Sequence, residues 1–407
     1  MIRLLHTADW HLGSTLEGLS RDTDHAQFLD WLAGTIEHRE VDVLVIAGDV
    51  FDHAQPSAEA QRLYFDFLQR IARSVVRHVV VVGGNHDSPT RLEAPRAVLR
   101  ALDVHVVGGL PADPARWREC LHPIAGKHGG IDATVLAVPF VHEYRLGVRT
   151  AMSDPREIAE SFRERFQLLY HSLCSEALAR NADAPLIATG HLAVRGADAK
   201  DAPKEVHLIA TIGGLTHEIF DPRIAYVALG HIHRSYAIED RPIWYSGSPI
   251  ALSMREALSP RRVIQVEIDG NSPARIEPIE VPTFRALIAI EGSVESVCEQ
   301  LHAITWSSPL PPYVRARIEV EHFTPSFDDR VVASAQAAVA RGLRLVGVRQ
   351  DVVKVTPAGP PDSFAEPLHT LEPEEVFLRL CRAKGTLVDE ALLRAFREIV
   401  HTSVDTP

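Results

Sequence analysis

Five short segments of this chain carry side chains of the kinds that bind divalent ions: Asp9-Trp10-His11, Gly48-Asp49-Val50-Phe51-Asp52, Gly84-Asn85-His86-Asp87, Gly190-His191 and Gly230-His231-Ile232-His233. Oxygen and imidazole donors with no cysteine among them describe an open site for hard or borderline ions rather than a closed structural zinc site. Asp9 and His11 stand two residues apart, so in an extended segment both side chains point to one side and reach one ion. Asp49 has two carboxylate oxygens and can bridge two ions about 3.5–4 Å apart. Asn85 adds an amide oxygen, and His191, His231 and His233 add imidazoles. The reading assigns Asp9, His11, Asp49 and His233 to one ion and Asp49, Asn85, His191 and His231 to the other; spacing constrains the placing of the last two histidines least. Two ions so held would lower the pKa of a bound water, polarise phosphoryl oxygens and align nucleophile with phosphorus, which suits phosphodiester hydrolysis. His86, next to Asn85, is the natural group to contact the phosphate or protonate the leaving oxygen. Asp52 and Asp87 either orient His86 or a ligand, or are ordinary loop carboxylates.

Each segment follows an apolar run, IRLLHT, VDVLVIA, HVVVV, APLIAT and IAYVAL. Every one therefore sits where a buried strand breaks into a loop, the place where open α/β sheets put their sites. A lone His-x-His means little in a chain with 21 histidines; the ordered set is specific. His6, His25, His53, His105, His142 and His217 read as surface or satisfied core residues. The chain has 407 residues, 46% hydrophobic and 24% charged, which rules out wholesale disorder and leaves room for about two or three domains. Its apolar runs fall far short of the ~18 residues of a membrane span, and no leader pattern opens it; the expectation is a cytoplasmic protein. Cys120, Cys174, Cys298 and Cys381 are scattered singly and suggest neither disulfides nor a thiolate site. A net charge of -12 and a pI near 5.9 argue against a stand-alone nucleic-acid binder working through a basic surface. Any grip on DNA would come from the bound ions, a local patch or a partner.

Residues 1–272 alternate apolar β-runs with helical stretches. Ser57 caps a helix predicted over 58–74, whose stripe is Leu63, Tyr64, Phe67, Leu68 and Ile71 with Phe65 at its edge. That face either packs on the sheet or forms a surface for self-association together with a helix predicted over 91–102. Between Gly270 and Pro282 the chain turns irregular. A smaller α/β unit follows, with strand 284–291, helix 293–304, strand 313–321, helix 326–341 and strand 343–355. Val314, Ala316, Ile318 and Val320 alternate with Arg315, Arg317, Glu319 and Glu321, so the middle strand has one wet face. Its arginines either solvate the sheet or touch a phosphate backbone. Five prolines from Pro357 to Pro373 mark a stiff linker. Beyond it Pro373 suits a first helical turn and Gly385 a C-cap; Thr386 with Asp389 starts a second helix with the stripe Leu392, Phe396 and Ile399. Helices this short are marginal alone, so the pair docks either on this chain or on a partner.

The ordered set resembles the calcineurin-like metallophosphoesterases, whose pattern is Asp-x-His, Gly-Asp, Gly-Asn-His-Asp or -Glu, Gly-His and Gly-His-x-His. Within them HTADWHLG at the start, FLDWL at 28–32, GDVFD, GNHDSP, ATGHL, YVALGHIHR and YSGSPIALS look like the SbcD family of nuclease subunits. The similarity spans nearly the whole chain, strongly over the first 255 residues and loosely from 280 to 372. EEVFLRL at 374–380 looks like the segment with which that family grips its ATPase partner, SbcC. The resemblance implies an α/β fold: a four-layer sandwich of two β-sheets flanked by helices at 1–272, a small α/β capping domain at 280–356, a proline-rich linker at 357–372 and a C-terminal helical pair at 373–407. It further implies two Mn2+ ions, 3′ to 5′ exonuclease activity on duplex DNA and endonuclease activity on single strands or hairpins. ATP-driven SbcC would gate the site, the chain would form a homodimer, and the process served would be DNA repair and recombination. SbcC would also supply much of the DNA-binding surface, which accounts for the acidic balance. Tyr236 stands where the family has glutamine, and Met254-Arg255 where it has an aromatic and an acidic residue; both departures lie outside the ligand set.

Two rivals stand beside this reading. A phosphodiesterase for small nucleotides or phospholipid head groups would need neither capping domain nor tail. A scaffold without chemistry would not require all seven ligand candidates and His86.

Overall fold

The computed structural model describes residues 1–127, 129–147, 155–195, 215–270 and 272–352, with Glu374, Phe377, Leu378, Cys381, Leu392, Leu393, Arg394 and Phe396 near the C-terminus. Met1–Val353 form one compact unit and Lys354–Pro407 a second.

The first unit is built on two mixed six-stranded sheets. One runs Arg275–Glu280, Arg262–Ile268, Ile2–Thr7, Val43–Ala47, His78–Val82 and Val104–Val107. Its last four strands are parallel. The other runs Tyr236–Ala237, Ile243–Tyr245, Ile224–Gly230, Leu186–His191, Ile131–Leu136 and Leu121–Ala125, with the middle four parallel. Val43–Ala47 and His78–Val82 are buried along their whole length, as parallel strands covered on both faces must be. Leu4, Val45, Val80 and Ile264 of one sheet pack against Val135, Ile187, Tyr226 and Ala228 of the other. The outer face of the first sheet is covered by helices Asp22–His38 and Ala58–Ile71; helix Pro155–Arg180 covers the second. The result is the expected layering of helices outside two facing sheets.

Ser57 caps Ala58–Ile71 by accepting from the Ala60 N–H, and Leu63, Tyr64, Phe67, Leu68 and Ile71 are buried as the stripe predicts, with Phe65 exposed. The helix expected over 91–102 is instead two short pieces, Pro89–Glu93 and Arg96–Arg100. Pro95 stands between them, and a residue without an N–H interrupts the helical ladder. The stretch read as irregular contains strand Arg275–Glu280, which pairs antiparallel with Arg262–Ile268 despite Pro278. It lies at the sheet edge, where proline is tolerated, so the first sheet continues to Glu280, past the expected boundary at 272. Among the described residues no helix is long and apolar enough to cross a membrane.

The smaller α/β part matches its pattern closely. Strands Arg285–Gly292, Leu310–Val320 and Arg344–Val352 form a parallel sheet, with helices Val294–Ala303 and Asp329–Ala340 capped by Ser293 and Asp328. Arg315 pairs with Glu17, and Arg317 with Asp351 and Glu291. This part joins the rest through a buried charge group. Asp24 accepts from Arg21 Nη2 at 2.8 Å and from Arg285 Nε at 3.0 Å. Arg285 lies 4.2 Å over the Tyr313 ring, and Arg21 donates to the Ala251 carbonyl at 2.7 Å.

Of the second unit, the described residues are helical, and the Phe377 and Phe396 rings stack at 4.1 Å. The linker at 357–372, Pro373, Gly385, Thr386, Asp389 and Ile399 lie outside the described residues.

His78 and His105, at the start of their parallel strands, cluster with His122 of the antiparallel strand Leu121–Ala125. The Ala125 N–H donates to His78 Nε2 at 3.1 Å, which puts the His78 proton on Nδ1, 3.3 Å from His122 Nε2. The His105 and His122 ring centroids lie 3.3 Å apart, with the planes tilted by 30°. Burial, then the neighbouring imidazoles, push His105 down to about 4 and His122 to about 2.

Asp24→Ala leaves two buried guanidinium groups facing each other, so it should destabilise the protein by about 3–5 kcal/mol, read as a lower urea midpoint. The histidine cluster predicts acid sensitivity. Its folded pKa values lie below the unfolded value of about 6.5, so the unfolded chain takes up protons first; the contribution is full above pH 6.5 and shrinks as pH falls toward 4. His105→Asn should flatten the fall of the thermal midpoint between pH 6.5 and 4.5.

Candidate metal centre

The parallel strands of both sheets end on one edge of the sandwich. Ile2–Thr7 leads to Asp9 and His11, Val43–Ala47 to Asp49, His78–Val82 to Asn85 and His86, Leu186–His191 to its own last residue, and Ile224–Gly230 to His231 and His233. Asp9, His11, Asp49 and His231 have φ of 54°, 49°, 48° and 92°. The left-handed region is costly for residues with a Cβ, and surrounding contacts must hold them there. They turn the chain sharply at the strand ends and aim side chains into the gap. Two glycines permit the crowding: a Cβ on Gly84 would strike Asp49 Oδ1, and one on Gly230 would strike the Ala47 carbonyl and lie 2.8 Å from His191 Nδ1.

The Asp49 carboxylate is the centre of the group. Its Oδ2 lies 3.2 Å from His191 Nε2 and 3.5 Å from His11 Nε2, and its Oδ1 accepts the His86 N–H at 2.9 Å. Asn85 Oδ1 sits 3.1 Å from His191 Nε2 and 2.9 Å from His231 Nδ1. Asp9 Oδ1 accepts the His231 N–H at 2.8 Å. Asp9, His11 and His233 form one group of possible ligand atoms, and Asp9, Asp49 and His191 another. All seven ligand candidates thus converge, with Asp9 and His191 both grouped with Asp49.

Three imidazoles are held by their Nδ1 atoms. His191 Nδ1 lies 2.9 Å from the Ala47 carbonyl, His11 Nδ1 3.0 Å from Asp52 Oδ1 and His233 Nδ1 3.4 Å from Glu256 Oε1. A carbonyl or carboxylate can only accept, so each Nδ1 carries a proton and each Nε2 is the nitrogen turned toward the ligand group, free to meet an ion once it holds no proton of its own. Asp9 Oδ2 and His11 Nε2 are buried with no hydrogen-bond partner. A buried lone pair without a donor is costly, and a cation satisfies both.

Charge points the same way. Burial pushes the Asp9 carboxyl up. Burial also opposes ionisation of Asp49, but His191 and His11 and the His86 N–H hold it well below the usual carboxylate range. His191 is lowered by burial yet lifted to about 9 by Asp49 and Asp9, whereas burial takes His231 down to about 4. Without ions, His191 supplies the positive charge that the two buried carboxylates demand.

This arrangement has known relatives. The calcineurin-like phosphoesterase family pattern matches residues 2–235. The D subunit of the SbcCD nuclease from Rhodobacter capsulatus is 37% identical over 300 residues, 72% of this chain and 73% of that one. The chain belongs to the SbcD family of calcineurin-like phosphoesterases. The Escherichia coli K12 member is 28% identical over 412 residues, covering 100% of this chain and 98% of its own; the Bacillus subtilis 168 member is 32% identical over 293, covering 70% and 71%. A solved β-glucosidase from Exiguobacterium marinum aligns with a TM-score of only 0.24 at 10% identity, over 86% of this chain and 88% of its own, and has no bearing on the fold.

Other residues around this SbcD-family site have defined places. Asp87 accepts the N–H groups of Val50, Phe51 and Gly84 at 3.1, 3.0 and 2.9 Å. It ties two ligand loops together and does not orient His86. Asp52 holds His11 with its carboxylate, pairs with the exposed His53 and receives His86 Nδ1 on its carbonyl at 2.8 Å. His6 is buried against the Tyr226 hydroxyl, His25 against the Trp10 carbonyl; His142 stacks on Tyr144, and His217 pairs with Glu239. Tyr236 packs on Tyr245, and Met254 on Leu16 and Tyr313. Sequence reading passes over Glu256; the nearest signal is the departure at Met254-Arg255 just before it. Gly84→Ala should leave the strands folded but displace Asp49, cutting hydrolysis of a chromogenic phosphodiester by roughly 10²-fold, with circular dichroism unchanged.

Proposed function

We propose that this chain is the Mn2+-dependent nuclease subunit of an SbcCD-type complex, degrading duplex DNA from 3′ ends and cutting single strands or hairpins internally. The observation that carries the proposal is the convergence of five strand ends on Asp49, with Asp9 Oδ2 and His11 Nε2 buried beside it and lacking partners. Asp9, His11, Asp49 and His233 would hold one ion, and Asp49, Asn85, His191 and His231 the other. The family resemblance names Mn2+, and the oxygen donors of Asp9, Asp49 and Asn85 suit that ion. When bound, the ions would supply Lewis-acid charge to the phosphoryl group and lower the pKa of the attacking water.

The chain's own part is positional. Asp49 is fixed by the His86 backbone N–H. The His86 side chain is exposed and anchored through Nδ1 to the Asp52 carbonyl, which leaves Nε2 for the substrate. Protonated there, it can donate to the leaving oxygen.

The names of the relatives, each a D subunit of an SbcCD nuclease, support assembly with an SbcC-type partner; by the family resemblance that partner is an ATPase that would gate access, in DNA repair and recombination. The net charge of -12 supports it too, since a partner must then contribute much of the DNA contact. Residues 280–356 would cap the nuclease domain, and 373–407, behind the linker, would dock on SbcC. Exposed Phe65, beside Tyr64 and the groove lined by Phe51, Pro56, Arg91 and Leu92, is the surface we assign to a homodimer. The complex would work in the cytoplasm.

The test is cleavage of end-labelled duplex DNA against a small phosphodiester, with Mn2+, with and without the ATPase. Wild type should cut the duplex. His86→Asn should still bind two Mn2+ by metal analysis while losing ~10²–10⁴ in turnover. Preference for the small diester in both settings would sink the DNA reading, and undiminished turnover would remove His86.

A further inference from the structure

We propose that Glu256 is a positioning residue that fixes the His233 imidazole for one ion and leaves the other ion's ligands untouched; this rests on the ligand assignment made under Proposed function. Glu256 opens a short 3₁₀ turn, Glu256–Leu258, in the loop that follows Ile243–Tyr245. Both carboxylate oxygens are engaged. Oε1 faces His233 Nδ1 at 3.4 Å and Ser253 Oγ at 3.2 Å. Oε2 accepts the Leu252 N–H at 3.0 Å and Ser248 Oγ at 3.1 Å. Arg261, largely buried, closes the group from the other side. It donates to the His233 carbonyl at 2.8 Å, to Ser248 Oγ at 3.1 Å and to the Glu256 carbonyl at 2.9 Å. Backbone and ring of His233 are thus held from one cluster.

The loop is in turn braced from outside the site. Met254 packs with Leu16 on Tyr313 of the smaller α/β part, and the Ala251 carbonyl is held by Arg21. The consequence is asymmetric. His11 and His191 have their own anchors, Asp52 and the Ala47 carbonyl. Among the described residues only His233 depends on Glu256, so removing the carboxylate frees one ligand of one ion. Outer partners of this type typically set metal affinity by about 10–100-fold.

Glutamine separates position from bulk. Its amide has one acceptor oxygen, which can serve His233 or Leu252 but not both. Glu256→Gln should therefore fall between wild type and Glu256→Ala.

The experiment is Mn2+ titration of the full chain by calorimetry, with electron paramagnetic resonance at two equivalents. Wild type should bind two ions and give the spectrum of an exchange-coupled pair. Glu256→Ala should keep one ion at wild-type affinity, weaken the second by roughly 10–100-fold and show chiefly the six-line signal of an isolated ion. Two tight ions with a coupled spectrum in both variants would overturn the proposal, as would equal weakening of both ions. A wild type that binds fewer than two ions would overturn the ligand assignment, and Glu256 with it.

Discussion

One carboxylate, Asp49, must be approached by groups from both sheets at once, and much of the architecture serves that requirement. The facing strands carry Val, Ile, Leu and Ala between them, which lets two rigid layers end at the same edge. Close approach is possible there because Gly84 and Gly230 leave no Cβ where Asp49 and Ala47 stand. The four ligand residues with positive φ are strained turns, which persist because flanking strands buried on both faces cannot relax them. Asp87 adds a lock, satisfying three N–H groups from two loops that would otherwise be buried without acceptors.

Electrostatics then orders the site before any ion arrives. Two carboxylates removed from water attract positive charge, and His191 answers by holding a proton well above its ordinary range. An ion that replaces this proton takes over a charge the pocket already favours. Anchoring of three imidazoles through Nδ1 settles which nitrogen faces inward, so little ligand reorganisation opposes binding.

The smaller α/β part is tied to the two-sheet part by a buried polar group as well as by apolar contacts, with Met254 and Leu16 packed on Tyr313. Arg21, Asp24 and Arg285 meet where helix Asp22–His38, the loop through Ala251 and strand Arg285–Gly292 come together. A buried ion group constrains geometry strongly while adding little net stability.

How much of this is legible in the sequence follows from the range of each interaction. Hydrophobic runs ending in Asp, Asn and His report burial and local periodicity, so strands, the start and buried stripe of the helix expected over 58–74, which ends at Ile71, the small α/β unit and all seven converging ligand candidates can be read directly. The family resemblance adds that the strands form two sheets flanked by helices; which strand pairs with which comes from the structure. The edge strand at 275–280 escapes because its register is written in its partner, Arg262–Ile268, whereas the break in the helix expected over 91–102 is local and is marked by Pro95 itself. Glu256 and Asp24 are beyond reach for a different reason. Asp24 meets Arg285 across 261 positions, and Glu256 meets His233 only because a loop folds back over 23. A single polar residue far along the chain carries no periodicity, so its role is decided by tertiary structure, where the desolvation of its partner makes one hydrogen bond count.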